Sequence, residues 1–243
     1  MTVAMAGPRQ LAAPKDEIVL LTAAAAGAAQ DGRLRVLEAG CGKRWLLKPD
    51  GVQVHLTGVD TDAAAMQIRR DKQRDLDESI LGDLRTVPLP SDTFDLAYCS
   101  FVLEHVAGAE AVLDRLMATV RPGGRLLVRV PDGDSVFGFL VKHSPHRVHV
   151  WYKRFIERKP NAGKPGYAPY PTVYDDVVST RGLRSWAARH GYQVVDEYAT
   201  NFYLRVFGPL AKPVEFVLRG IAAVSRGKLT AAHNNIGFVV VKP

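Results

Sequence analysis

The sequence predicts an α/β fold, a mostly parallel sheet wound with helices, on three observations. Short β-branched runs alternate with longer segments of helical period. Apolar residues make up 47% of the 243 and charged residues only 23%, enough to bury a large core and too little charge for a disordered chain. A glycine turn, Gly40-Cys41-Gly42, directly follows the first of the β-branched runs, where a backbone without Cβ atoms can turn tightly and approach a ligand.

The elements follow in order. The apolar stretch 18–29 is too short to span a bilayer. Arg9 and Lys15 precede it as in a secretory signal, but Asp16 and Glu17 abut it and spoil the basic region, so it reads as a helix. Strands are predicted over 35–38, 54–59, 79–82, 94–99 and 125–130, with helices over 61–72 and 110–120. In the second helix Ala111, Leu113, Leu116, Met117 and Val120 form an apolar stripe that is core, and Pro122-Gly123-Gly124 stops the helix. After Pro131 no clean period survives over 136–180, an insertion dense in aromatic, basic, proline and glycine residues. An amphipathic helix over 181–190, ended by Gly191, and strands over 192–198 and 236–241 restore regularity, separated by a second, more apolar insertion over 204–232. The expectation is one domain over 1–243 carrying these two insertions.

The net charge of +7 and a pI near 9.5 favour an acidic partner: nucleic acid, anionic lipid or a phosphorylated substrate. Only two cysteines occur, Cys41 and Cys99, each at the end of a predicted strand, which argues against a disulfide framework and for a reducing, cytoplasmic compartment.

The chemistry concentrates at strand ends. Glu38 follows Val36-Leu37 and precedes the glycine turn, and Asp60 lies twenty residues past Gly40 in HLTGVDTD, where a carboxylate can accept hydrogen bonds from ribose hydroxyls. A third tip supplies Gly82-Asp83, and a fourth supplies Cys99-Ser100-Phe101 followed by Leu103-Glu104-His105. Ligands of open α/β sheets lie outside the carboxyl ends of the strands, so the four tips outline one crevice. Taken singly, Asp60 could cap a helix and Asp83 could satisfy a turn.

The segments VLEAGCG, GVD, GDLRTVPLPSDTFDLAYCSFVLEHV and LMATVRPGGRLLVRVP, in this order, closely resemble the class I S-adenosylmethionine-dependent methyltransferases, in the branch called type 11. The resemblance covers residue 34 to about 132. It implies a Rossmann-like, seven-stranded, mostly parallel sheet with helices on both faces, an antiparallel last strand, and a lid after the fifth strand that covers the acceptor pocket. It also implies S-adenosylmethionine as cofactor. Glu38 and the backbone of Gly40, Cys41 and Gly42 would hold its methionine portion, Asp60 the ribose hydroxyls, and Asp83 the adenine amino group with Leu84 beside the ring, with Thr61 also among the cofactor-binding residues. Ser100, at the fourth tip, completes the set. Lys43 stands where many members carry a glycine, and it or Arg44 would instead touch the cofactor carboxylate.

Methyl transfer from a sulfonium needs a base only when the acceptor is a hydroxyl or a protonated amine. Candidates are His105 and, in VKHSPHRVHVWYKRFIERKP, His143, His146, His149 and Tyr152. Three histidines at every third residue invite a metal, but Pro145 disrupts that presentation and no cysteine joins them, so no metal is expected. The expected reaction is O-methylation of a small molecule or a lipid-linked glycan. Alternatives are an RNA methyltransferase gripping through the basic insertion, which lacks any appended RNA-binding module, or a non-catalytic family member binding a partner. Residues 204–228 interleave apolar and basic residues, which suits peripheral membrane contact or a homodimer surface. Nucleic acid is not the expected partner.

Overall fold

The computed structural model describes residues 7–164 and 167–243, so the first six residues of the expected domain and residues 165–166 of its first insertion lie outside the description. The strands are β1 (Arg9–Gln10), β2 (Arg33–Ala39), β3 (Gln53–Asp60), β4 (Glu78–Leu81), β5 (Phe94–Ser100), β6 (Val120–Pro131), β7 (Gln193–Thr200) and β8 (Asn235–Val241). The α-helices are α1 (Pro14–Ala26), α2 (Ala63–Ile68), α3 (Ala109–Thr119), α4 (Val136–His143), α5 (His146–Phe155), α6 (Thr180–His190) and α7 (Ala211–Val224).

The sheet order is β4-β3-β2-β5-β6-β8-β7-β1, and every pairing is parallel except those of β8, which runs antiparallel to both β6 and β7. The expected α/β class and the antiparallel last strand are therefore present, but the sheet has eight strands rather than seven. The extra strand is two residues, Arg9 and Gln10, paired with Tyr198 and Ala199 at the edge. A pair of polar residues carries no periodicity, so only the neighbouring edge reveals it.

Central strands are covered on both faces and accordingly read as apolar runs. On one face Leu21 and Ala25 of α1 pack against Leu34, Val36, Leu56 and Leu96. On the other, α3 and α6 contribute Leu113, Leu116, Leu183 and Trp186 against Leu37, Ala97, Leu126 and Phe238. The buried face of α3 differs by one position from the expected stripe: Ala111 is exposed and Val112 is buried. The Pro122-Gly123-Gly124 turn lies inside β6 as an irregularity in its pairing with β5, with Gly123 at φ +74°.

The expected helix over 61–72 begins at Ala63 and passes at Arg69 into a π-helical turn, Arg69–Gln73. The insertions are more regular than their composition indicates. The first holds α4 and α5, and the second holds a 3₁₀ segment, Phe202–Leu210, that kinks at Gly208 (φ 51°) into α7. Among the described residues no helix is long and apolar enough to cross a membrane.

Candidate functional site

The tips of β2, β3 and β5 converge on the glycine turn. Gly40 has φ +68°, and a Cβ there would fall 2.2 Å from Cγ2 of Val102, so the residue must be glycine for both reasons. Its amide and that of Cys41 donate to the Val59 carbonyl at 2.8 and 3.1 Å, which fastens the turn to β3. Gly42, at φ +55°, has no atom within 4 Å of where a Cβ would stand. Open space thus begins at its backbone. The Gly42 amide donates to Asp60 Oδ2 at 2.8 Å, and the Asp62 amide donates to Asp60 Oδ1 at 2.8 Å. Asp60 does not cap α2: Asp62 does, accepting from Ala64 and Ala65 at 2.9 and 3.1 Å. The half-buried Asp60 carboxylate, with two oxygens and further lone pairs, remains available at the crevice.

Behind the turn lies a residue that the sequence reading missed. Arg69 is fully buried; its Nη1 donates to the Cys41 carbonyl at 2.6 Å and lies 2.9 Å from Glu38 Oε2, while Nε donates to Asp75 at 2.7 Å. Burial pushes the Glu38 carboxyl up to about 8, against the pull of the Arg69 charge. Burial likewise raises the Cys41 thiol to about 12, so Cys41 is a packed thiol touching Met66 Sδ at 3.3 Å. The available signal was an arginine on the buried side of α2, three and four residues past Met66 and Ala65.

At the third tip, hydrogen bonds from Arg85 hold the Asp83 carboxyl down to about 2. Arg85 Nε and Nη2 donate to it at 3.0 and 2.6 Å and its amide at 2.9 Å, so Asp83 closes a turn as well as facing outward. Leu84 is buried in the core, its carbonyl held by Arg115 at 2.9 Å. At the fourth tip Ser100 Oγ accepts from Arg129 at 3.1 Å. Arg129 is itself buried, donates twice to Glu17 of α1 at 2.9 and 2.7 Å, and lies 4.9 Å from the centre of the Phe101 ring. Thr61 is exposed beside Asp60.

His105 is positioned by the first insertion. Its Nδ1 lies 2.7 Å from the Pro171 carbonyl, which can only accept, so Nδ1 carries the proton and Nε2 keeps a lone pair. Burial lowers its basicity, with the Pro171 bond opposing. Beside it Glu104 is buried, and burial pushes its carboxyl up to about 8. Tyr170 meets the His105 ring edge-on at 5.9 Å, and its phenol is raised by burial and by the charges of Asp62 and Asp60. Lys43 Nζ lies 5.3 Å from the centre of the Tyr167 ring. The insertion therefore reaches the crevice through Tyr167, Tyr170 and Pro171, none of which the sequence reading had singled out.

The other four acceptor-side candidates make their contacts within the insertions. His143 Nδ1 bonds the Phe139 carbonyl at 2.8 Å, and His149 Nε2 lies 3.1 Å from the Val141 carbonyl and 2.8 Å from Ser144 Oγ, closing the turn between α4 and α5. His146 stacks edge-on against His149 at 6.0 Å, and Tyr152 packs against Phe207 at 6.1 Å. A further buried knot lies at the β6 tip, where Asp132 accepts from Thr180 Oγ1 at 2.8 Å and pairs with His233 Nε2 at 2.7 Å. It ties α6 and the approach to β8 onto the sheet.

A family model described as a methyltransferase domain matches residues 9–197. The trans-aconitate 2-methyltransferase of Paracidovorax citrulli is 34% identical over 101 residues, covering 40% of this chain and 38% of that protein. The malonyl-[acyl-carrier protein] O-methyltransferase of Enterobacter lignolyticus is 28% identical over 135 residues, covering 54% of this chain and 48% of that one. The chain thus spans under half the length of these relatives. Among solved structures, an S-adenosylmethionine-dependent methyltransferase from Mesorhizobium loti superposes with a TM-score of 0.55 at 15% identity, covering 93% of this chain and 99% of that one, a likeness of fold.

Proposed function

We propose that this chain, which belongs to the methyltransferase-domain family, binds S-adenosylmethionine in the strand-tip crevice and transfers its methyl group to a hydroxyl of a small molecule or lipid-linked glycan. The observation that carries the reading is the junction of Gly42 and Asp60: a left-handed glycine opening onto free space, beside a carboxylate that Asp62 has relieved of helix capping. The residues fit the cofactor. Asp60 offers acceptor lone pairs to ribose hydroxyls, Glu38 and the Arg69-braced turn would hold the amino-acid end, and Asp83 would receive the adenine amino group once the exposed Arg85 turns aside.

Bound, the cofactor supplies a methyl group already activated by a sulfonium, so the protein's main task is to hold donor and acceptor in line. His105 supplies what a hydroxyl acceptor additionally needs. Neutral, with its proton fixed on Nδ1 by Pro171, it can take the hydroxyl proton at Nε2 as the oxygen attacks. The O-methyl transfer named for the acyl-carrier-protein relative supports the choice of oxygen. Calorimetric titration with S-adenosylmethionine and S-adenosylhomocysteine tests the reading. The expected result is micromolar binding weakened by about 10-fold or more in Asp60→Ala, about 1.4 kcal/mol. Failure of the unaltered protein to bind either ligand overturns it. Given binding, glycan, phenolic and lipid hydroxyls are screened for methylated product.

A further inference from the structure

We infer that α5, the 3₁₀ segment and α7 form one face by which the protein docks on an anionic bilayer surface. The first support is that both helices turn apolar side chains outward. Of α7 only Leu218 is buried, while Phe216 and Val224 are 78% and 79% exposed. Pro213, Phe216, Val217, Gly220 and Val224 fall on one outward stripe at helical spacing, and Lys212, Arg219 and Arg226 run beside it at intervals of seven. A helix apolar on its inner and its outer side is ordinarily covered on both.

The second support is that α5 repeats the design. It has no buried residue; Val148, Trp151 and Phe155 form an exposed stripe, with Trp151 at 55% and Phe155 at 66%. Arg147 and Arg154 flank it on the helix, and Arg158 follows just past its end. Tryptophan, an apolar body with a polar N–H, suits the boundary between acyl chains and headgroups. The α5 stripe meets the 3₁₀ segment, which leads directly into α7. A groove of about 600 Å³ lies between the end of α5 and the 3₁₀ segment, and the exposed Phe155 and Leu210 both line it.

The third support is charge. Segments 142–159 and 201–232 carry eleven Lys and Arg against two acidic residues, Glu157 and Glu215, whereas the whole chain nets +7. All of the chain's excess positive charge therefore resides here, and the remainder is slightly acidic. Such a face would repel a second copy of itself. Single-stranded nucleic acid would use rings as stacking platforms, but Val148, Val217, Val224 and Leu210 offer aliphatic surface, which bases do not reward and an acyl boundary does. Basic residues around an apolar stripe are what an anionic leaflet selects.

The test uses the full chain without cofactor, so it stands apart from the methyl-transfer reading. Sedimentation with phosphatidylcholine vesicles containing phosphatidylglycerol should pellet the protein, with about 10-fold weaker binding to phosphatidylcholine alone and release by salt. Trp151 should move to shorter emission wavelength on binding, because Trp186 is buried and Trp45 is packed against Tyr98; Trp151→Phe should abolish the shift. Phe216→Ser with Val224→Ser, and separately Arg147→Glu with Arg226→Glu, should each weaken vesicle binding by about 10-fold with the melting temperature unchanged. No binding to anionic vesicles overturns the proposal. So does binding indifferent to the serine pair, which is adsorption by charge alone. A dimer in sedimentation equilibrium that the serine pair dissociates would assign the face to a second copy, and tight RNA binding lost in the glutamate pair would assign it to nucleic acid.

Discussion

At the β2–β4 end of the sheet the charges are inside: Arg69 is fully buried and faces Glu38, Asp75 and the Cys41 carbonyl. At the insertion end they are outside, with α5 burying no residue and Arg147, Arg154 and Arg158 open to solvent. A buried charge must be paired in place, because leaving it unpaired costs far more than the pair contributes. The crevice is therefore held in one geometry by its own interior. An exposed array meets no such demand, and its organisation answers to whatever lies outside the chain.

That contrast is broken or sharpened by substitutions on either side. Arg69→Met should be the most damaging, losing about 3–5 kcal/mol of stability by urea denaturation, since Asp75, Glu38 and the Cys41 carbonyl lose the donor they share. Cofactor affinity should fall with it as the Cys41 carbonyl is released. Undiminished stability would mean that Asp75, Glu38 and the Cys41 carbonyl do not depend on Arg69 and that the interior does not hold the turn.

At the junction of the two regions, His105→Gln keeps a donor for the Pro171 carbonyl and removes the base. The expected cost is about 10²–10⁴ in kcat with little change in melting temperature. The unaltered enzyme should lose activity as pH falls and the imidazole protonates, below the ordinary histidine range because burial lowers it. The variant should lack that limb in a pH–rate profile.

Glu104→Gln should stabilise. The folded carboxyl keeps its proton to about 8, whereas the unfolded one loses it near 4.5, so over that interval the native state binds more protons and stability falls as pH rises. Glutamine removes the titration. The gain should be absent near pH 4 and grow to roughly 2–4 kcal/mol by pH 8, read from urea midpoints at both. A pH-independent difference would contradict a buried carboxyl whose Oε2 has no hydrogen-bond partner. The smallest effect belongs to the outer face, where Arg147→Glu and Phe216→Ser should change stability by no more than about 0.5 kcal/mol.

The crevice half was legible because each of its parts is short-range. Gly40 and Gly42 announce a turn that needs positive φ, and Glu38, Asp60, Asp83 and Ser100 sit at or near the ends of the predicted strands. Arg69 was harder to read, because its partners are thirty-one residues back and six ahead, and its helical spacing from Met66 and Ala65 gives its side of the helix but not the carboxylates it meets. The insertions misled in the other direction. Histidines at every third residue drew attention as acceptor contacts, yet His143 and His149 bond carbonyls of α4, while Tyr170 and Pro171 approach His105.

By itself the sequence determined the winding of strand and helix, the glycine turn, the acidic strand tips and the excess of basic residues in two segments, because periodicity, backbone sterics and composition are properties of neighbouring residues. Only the tertiary structure decided that Asp62 rather than Asp60 caps α2, that Arg69 lies beneath the turn, and that α5 and α7 leave their apolar stripes uncovered. Those outcomes depend on which distant surfaces meet, and burial, which sets the strength of every charge and the cost of every orphaned group, exists only once they have met.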